Sequence, residues 1–343
     1  MTTYADAGVH LDDARAATDR LASIAARTRG EHVLADVGAF GGMLSLAASG
    51  GVADPVLVAS TDGVGTKVLV AAALGRYDGL GHDIVNHCVN DIAVQGARPL
   101  LFLDYLAFHR VVSDLVAAIV GGVADACRPV GCALLGGETA EMPGVYAPGA
   151  FDLAGFVVGI VDRAAIGRNG TPRPGDLLLA LPSTGLHTNG YSLARRVLPA
   201  ATWERFEPAL GSTVGEALLA PHRCYLTEIQ ALVTAGARAF AHITGGGIPK
   251  NLPRALPGGV AAEIDLNAWT RPAIFGLIAD AGSVSVDEML RVFNMGVGLI
   301  AVVPADGLSA ATGAVPEASV IGRVVEGRNV ECVRFVGGGG GTQ

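Results

Sequence analysis

The chain has 343 residues, half of them apolar and only 16% charged, which excludes a disordered chain and suits two domains of ordinary size. Its net charge is −8 with no cluster among the 24 basic residues, which disfavours a nucleic-acid surface, and apolar runs such as residues 296–305 reach about half of the roughly twenty residues that a membrane-spanning helix needs. The five cysteines are scattered without a C-x-x-C pair and the N-terminus carries acidic residues in place of a basic, apolar export signal, so the chain reads as a reduced, cytoplasmic protein.

An amphipathic helix is predicted over residues 11–28, where Leu11, Ala14, Leu21, Ile24 and Ala25 share one face. A short buried strand follows at 55–60 (PVLVAS) and leads into 61–67 (TDGVGTK). Glycines there let the backbone approach a ligand closely, and the helix start beyond offers N–H groups to an anion. The spacing is not that of a Walker A loop. A carboxylate beside a phosphate is repulsive unless a cation lies between them, so Asp62 implies a magnesium-bridged phosphate; the plain alternative is a tight turn with an Asp cap. Over 83–95 a helix puts Asp83, Asn86, His87, Asn90 and Asp91 on one stripe and Ile84, Val85, Cys88, Val89 and Ile92 on the other. A solvated face is one reading of that stripe, but its Asn, His and Asp content, with no Lys or Glu, suits ligand and metal contacts. Strands at 100–106 and 133–135 flank a helix at 113–127. The second strand runs into 136–144 (GGETAEMPG), where Glu138 and Glu141 follow a Gly-Gly turn and either bind metal or help to cap a helix. A longer strand is read at 151–161.

Residues 168–176, with two prolines and two glycines, read as a linker between an N-terminal domain (1–167) and a C-terminal domain (168–336), ahead of a flexible tail (337–343). The α/β alternation resumes with strands at 177–181, 260–264 and 297–303 and helices at 191–198 and 221–235. The loop 183–192 (STGLHTNGYS) offers hydroxyls, an amide and His187, without the elbow that a serine nucleophile needs. The loop 244–251 (TGGGIPKN) follows a short strand around Ile243 and reads as a nest for a phosphate monoester or as a plain flexible turn.

Taken together, these stretches resemble one family in order along nearly the whole chain: phosphoribosylformylglycinamidine cyclo-ligase, also called AIR synthetase. The motifs that carry the likeness are 4–9 (YADAGV), 61–67, 88–96 (CVNDIAVQG), 101–105 (LFLDY), 136–144, 187–192 (HTNGYS), 244–247 (TGGG) and 293–298 (FNMGVG). The chain departs from the family pattern at Ala5, where a basic residue is common, and at Ala39, where Gly is common. The resemblance implies two α/β domains of the AIR-synthetase type. The N-terminal domain would bind ATP and form a dimeric β-barrel in a homodimer, and the C-terminal domain would be a mixed sheet covered by helices. It implies ATP-dependent ring closure of formylglycinamidine ribonucleotide to 5-aminoimidazole ribonucleotide, with ATP and Mg2+ required. On that basis Asp62, Asp91 and Glu138, with Glu141 in reserve, are expected to hold metal. Asp62, Gly63, Gly65, Thr66, Gly136 and Gly137 are expected to line the nucleotide, with Lys67 neutralising the γ-phosphate. Asn90 is expected to position the phosphates or the formyl group. His187 and Asn189 stand near the reacting amide, with His187 moving a proton, while Gly245, Gly246, Gly247 and Lys250 hold the ribose phosphate. A small-molecule kinase of the same superfamily, or a binder that has lost the reaction, are the competing readings.

Overall fold

The computed structural model describes residues 20–35, 41–327 and 332–337. The chain forms two compact units that divide between Arg163 and Ala164, with residues 94–96 grouped with the second. The division lies just ahead of the Pro- and Gly-rich stretch at 168–176.

The first unit is built on strands β1 (Pro55–Gly63), β2 (Arg98–Phe108), β3 (Ala133–Glu141) and β4 (Phe151–Asp162), with helices α1 (Lys67–Leu74), α2 (Asp78–Ala93) and α3 (Ser113–Cys127). The sheet order is β1-β4-β2-β3; β4 runs antiparallel to both neighbours, and β2 and β3 are parallel, joined by α3 as the crossover. Alternation along the strands separates two faces. Phe102, Asp104, Leu106 and Val157 are buried on the side that meets α2, whereas Leu57, Tyr105 and Phe156 on the other side are exposed. The sheet is open, with β1 and β3 as its edges, and no closed barrel forms among the described residues.

Three boundaries differ from the sequence reading. β1 continues through Gly63, so Asp62 and Gly63 lie on a strand paired with Gly155 and Ala154, not in a loop. Gly136 and Gly137 lie within β3, paired with Leu103 and Asp104, and make no turn. α2 begins at Asp78, since Gly79 and Gly81 obscure an apolar periodicity that Leu80 and Ile84 sustain. Of the expected N-terminal helix, residues 20–25 are helical and Ala26–Thr28 form a 3-10 turn; the remainder, the 4–9 motif, Ala39 and most of the tail lie outside the described residues.

In the second unit the elements run β5 (Leu177–Pro182), α4 (Tyr191–Val197), α5 (Val214–Leu219), α6 (Leu226–Thr234), β6 (Ala239–His242) and α7 (Gly247–Asn251). They continue with β7 (Val260–Asp265), α8 (Ala273–Gly282), α9 (Val286–Val292), β8 (Val297–Val303), α10 (Leu308–Ala314), β9 (Ser319–Glu326) and β10 (Val333–Val336). The six strands make one mixed sheet in the order β6-β8-β5-β9-β7-β10, in which only β7 and β10 pair in parallel. β8 is buried along its whole length, which explains its unbroken apolar sequence. Leu178, Ile243, Ile264, Ile300 and Ile321 belong to the core on one face of this sheet. The helix expected over 221–235 spans only Leu226–Thr234; residues 221–225 (PHRCY) are irregular and lead from α5 into α6.

Candidate active site

α2 lies along β1, and three of its residues spaced one turn apart each meet a partner from the β1–α1 segment. Lys67 Nζ is 2.8 Å from the Asp83 carboxylate, with both side chains fully buried. His87 Nε2 is 2.8 Å from Asp62 Oδ2. Ser60 Oγ donates to Asp91 Oδ2 at 3.0 Å. Positions i, i+4 and i+8 stay on one stripe of a helix, and this stripe faces one strand. It is therefore not a solvated face: Asp83, His87 and Asn90 are all buried. Burial works to push the Asp62 carboxyl up, yet the hydrogen bond and charge of His87, joined by the Gly63 N–H at 2.7 Å, hold it below its ordinary value despite repulsion from Asp91. Burial pulls the His87 imidazole down, but Asp62, then Asp91 and Asp83, raise it above the ordinary histidine value.

The other expected residues of this unit lie as follows. The resemblance assigns Lys67 to the γ-phosphate; its ammonium is instead sealed against Asp83, and burial lowers its pKa even though Asp83 opposes the shift. Asn90 is likewise fully buried in α2. Glu141 Oε1 accepts the Val111 N–H at 2.9 Å, clamping the turn after β2. Glu138 pairs in register with Tyr105 and so projects from the sheet face opposite Asp62 and Asp91. Asp62 and Asp91 are brought together; Glu138 does not join them. Carboxylate oxygens are the hard donors that suit magnesium, and Asp62 and Asp91 are near enough for their charges to oppose one another. Gly65, with φ 57, makes the left-handed step into α1, and Thr66 caps that helix without a side-chain bond.

Sequence reasoning assigned no role to Asp104 of the LFLDY motif. A Cβ at Gly137 would lie 1.9 Å from Asp104 Oδ1, so this glycine makes room for a carboxyl that burial pushes up to about 7. Asp104 Oδ2 is buried with no hydrogen-bond partner among the described residues.

In the second unit, the loop after β5 puts His187 in the left-handed region at φ 60. His187 is fully buried, and its Nε2 accepts the Thr184 N–H at 3.2 Å, so the neutral ring carries its proton on Nδ1. Asn294 ties this loop down: its Nδ2 donates to the Gly185 carbonyl at 2.9 Å while its Oδ1 accepts from Ser183 Oγ at 3.1 Å and from the Gly296 N–H at 2.9 Å. Asn189 Oδ1 would be 2.9 Å from a Cβ at Gly245, so the HTNG and TGGG loops touch. Gly246 and Gly247 both have positive φ, and the exposed Lys250 runs its stem across Gly246. The Gly247 N–H donates to the Thr244 carbonyl at 3.0 Å. Asn251, buried at the end of α7, donates to the carbonyls of Thr244 and Gly247 at 3.2 and 2.9 Å and so shapes the glycine loop from within.

Comparison with known proteins identifies the family of this chain. The family model described as AIR synthase related protein, N-terminal domain, matches residues 48–161, and that for the C-terminal domain matches residues 173–334. A phosphoribosylformylglycinamidine cyclo-ligase from Myxococcus xanthus is 49% identical over 95% of this chain and 97% of its own length. One of the same name from Alkaliphilus oremlandii is 46% identical over 95% of this chain and 97% of its own. A third, from Sorangium cellulosum, is 48% identical over 88% of each. Among solved structures, thiamine-monophosphate kinase from Stenotrophomonas maltophilia superposes with a TM-score of 0.68 at 20% identity, over 92% of this chain and 95% of its own. The hydrogenase maturation protein HypE in complex with ATP gives 0.65 at 16% identity, over 90% and 86%. At such identities these two likenesses bear on fold alone.

Proposed function

This chain belongs to the phosphoribosylformylglycinamidine cyclo-ligase family, and we propose that its two units divide the work of ring closure between nucleotide handling and substrate orientation. It is an ATP-dependent enzyme of purine biosynthesis. The formyl oxygen of formylglycinamidine ribonucleotide takes the γ-phosphoryl group of ATP, leaving ADP. The amidine nitrogen then attacks the activated carbon within the same molecule; the C–O bond breaks, phosphate leaves, a proton is lost from nitrogen, and 5-aminoimidazole ribonucleotide remains. Proximity is built into the substrate, so no covalent enzyme nucleophile is needed.

One observation carries the division: Asp62 on β1 and Asp91 on α2 are held on the facing sides of one seam, by His87 and Ser60, directly before the glycine turn into α1. In this reading the two carboxylates hold magnesium, which neutralises charge on the nucleotide phosphates. Gly63, Gly65, Thr66, Gly136 and Gly137 line the nucleotide, and Lys67 acts through Asp83 by fixing the start of α1. Across the second unit, Gly245, Gly246 and Lys250 hold the ribose phosphate, Asn189 orients the reacting amide, and His187 moves its proton. The exposed Leu57, Tyr105 and Phe156 face supports a homodimer in which two open sheets close on each other; a monomeric sedimentation coefficient at micromolar concentration would rule it out. No helix among the described residues is long and apolar enough to cross a membrane, which fits a cytoplasmic site of action.

The test is incubation of the purified protein with ATP, magnesium and formylglycinamidine ribonucleotide. Stoichiometric aminoimidazole ribonucleotide, ADP and phosphate are expected. Accumulation of a phosphorylated, uncyclised product would assign a kinase instead.

A further inference from the structure

Those roles leave one buried polar cluster of the second unit unused. His222 and His242 are 1% and 4% exposed beside the fully buried His187, and come from the irregular segment ahead of α6 and from the last residue of β6. The rings of His187 and His222 stack with centroids 3.9 Å apart and planes inclined at 24°. The Nε2 atoms of His222 and His242 are 2.9 Å apart, so one must donate while the other accepts, and the contact holds a single proton. On its other edge, His222 Nδ1 lies 3.4 Å from Thr188 Oγ1, and that oxygen also takes a hydrogen from Asn189 Nδ2 at 3.4 Å.

These contacts form a hydrogen-bonded chain from the Asn189 carboxamide through the Thr188 hydroxyl and His222 to His242. One end of this chain is the carboxamide that lies over Gly245, and the other is two residues before Thr244 of the TGGG loop. His187 also needs holding. Its left-handed backbone is uphill for a residue with a side chain, and it is gripped by the Thr184 N–H, by Tyr191 Oη donating to its carbonyl at 3.1 Å, and by the face of His222. Gly298 completes the slot: a Cβ there would lie 2.8 Å from His187 Cε1.

We propose that His222 is a positioning residue for ring closure: it ties the HTNG loop to the strand that feeds the TGGG loop, and its ring face fixes the imidazole of His187. The proposal rests on the proton-transfer role given to His187 above. His222 lies in no motif that marks the family; its place between the two substrate loops is visible only once the chain is folded.

The experiment measures ring closure by the full-length enzyme carrying His222→Phe, His187→Ala or both. Phenylalanine keeps the stacked ring and its volume but removes both nitrogen contacts. His222→Phe is expected to lower kcat about tenfold to a hundredfold, the cost of a small misplacement, with the KM for ATP unchanged. The double variant is expected to be no slower than His187→Ala, because one residue acts through the other. The side-chain 15N resonances of His187 should move in His222→Phe, and His222→Gln, which keeps a donor and an acceptor, should recover part of kcat. Parent-like kcat in His222→Phe beside an impaired His187→Ala overturns this inference alone. A normal rate in His187→Ala overturns the role of His187 and this inference with it. Should His222→Phe not fold, His222→Gln is compared with His222→Ala: a faster Gln variant supports the proposal, and equal rates overturn it.

Discussion

The two candidate sites, one in each unit, handle polarity in different ways. Where α2 meets β1 and the start of α1, the contacts are between charged groups: the fully buried Lys67 with Asp83, and the buried His87 with the more exposed Asp62. Around the HTNG and TGGG loops they are mostly amides, hydroxyls and imidazoles hydrogen-bonded to backbone carbonyls and to each other. Charge set in a rigid helix–strand frame suits the grip on a metal and a triphosphate, where fixed dipoles and ions matter most. Neutral groups on loops suit a substrate whose proton must move and whose amide must be aimed. Under the proposed function, the contrast is one of charge handling against orientation.

The contrast can be broken first at its most buried contact. Lys67→Met leaves the Asp83 carboxylate uncompensated and should cost about 3–5 kcal/mol in urea unfolding, with much of it restored by adding Asp83→Leu. Little loss in the single variant would mean that the ion pair does not brace α1. Next comes Asp62→Asn, expected to cut ring closure about a hundredfold or more while the fold is kept; a parent-like rate would remove Asp62 from the metal. In the second unit, Asn251→Ala removes the amide donor that shapes the glycine loop and should cost roughly 2 kcal/mol, together with a raised KM for the ribonucleotide. An unchanged KM would separate that loop from substrate binding.

The smallest effect is a dependence on pH. His87 is raised in the folded state, so the stability it contributes is full below the ordinary imidazole value of about 6.5 and is lost as pH rises through its higher folded value. The melting temperature lost in His87→Gln should therefore be larger at pH 6 than at pH 9. A pH-independent loss would mean that Asp62 does not hold the imidazolium.

How much of this was legible in the sequence follows from how each residue is held. The α2 stripe could be read because helical spacing alone brings Asp83, His87 and Asp91 to one face, but its partners could not, since Lys67 and Ser60 belong to a neighbouring segment. The GGE stretch looked like a turn because glycine is ambiguous between freedom and close approach; only the pairing of Gly137 with Asp104 decides for close approach. The resemblance groups Glu138 with Asp62 and Asp91, whereas strand alternation places it on the other face of the sheet. The FNMGVG motif carried a signal for Asn294 without its meaning, which is the clamp on Gly185 and Ser183. His222 gave no signal, because the segment around it was read as the start of a helix that in fact begins at Leu226.

The most direct measurement is manganese binding, followed by electron paramagnetic resonance in the presence of a non-hydrolysable ATP analogue, for the parent, Asp62→Asn and His187→Ala. Separate duties predict that Asp62→Asn loses bound manganese while His187→Ala binds it like the parent yet cannot close the ring. Equal manganese binding in the parent and in Asp62→Asn would contradict that division.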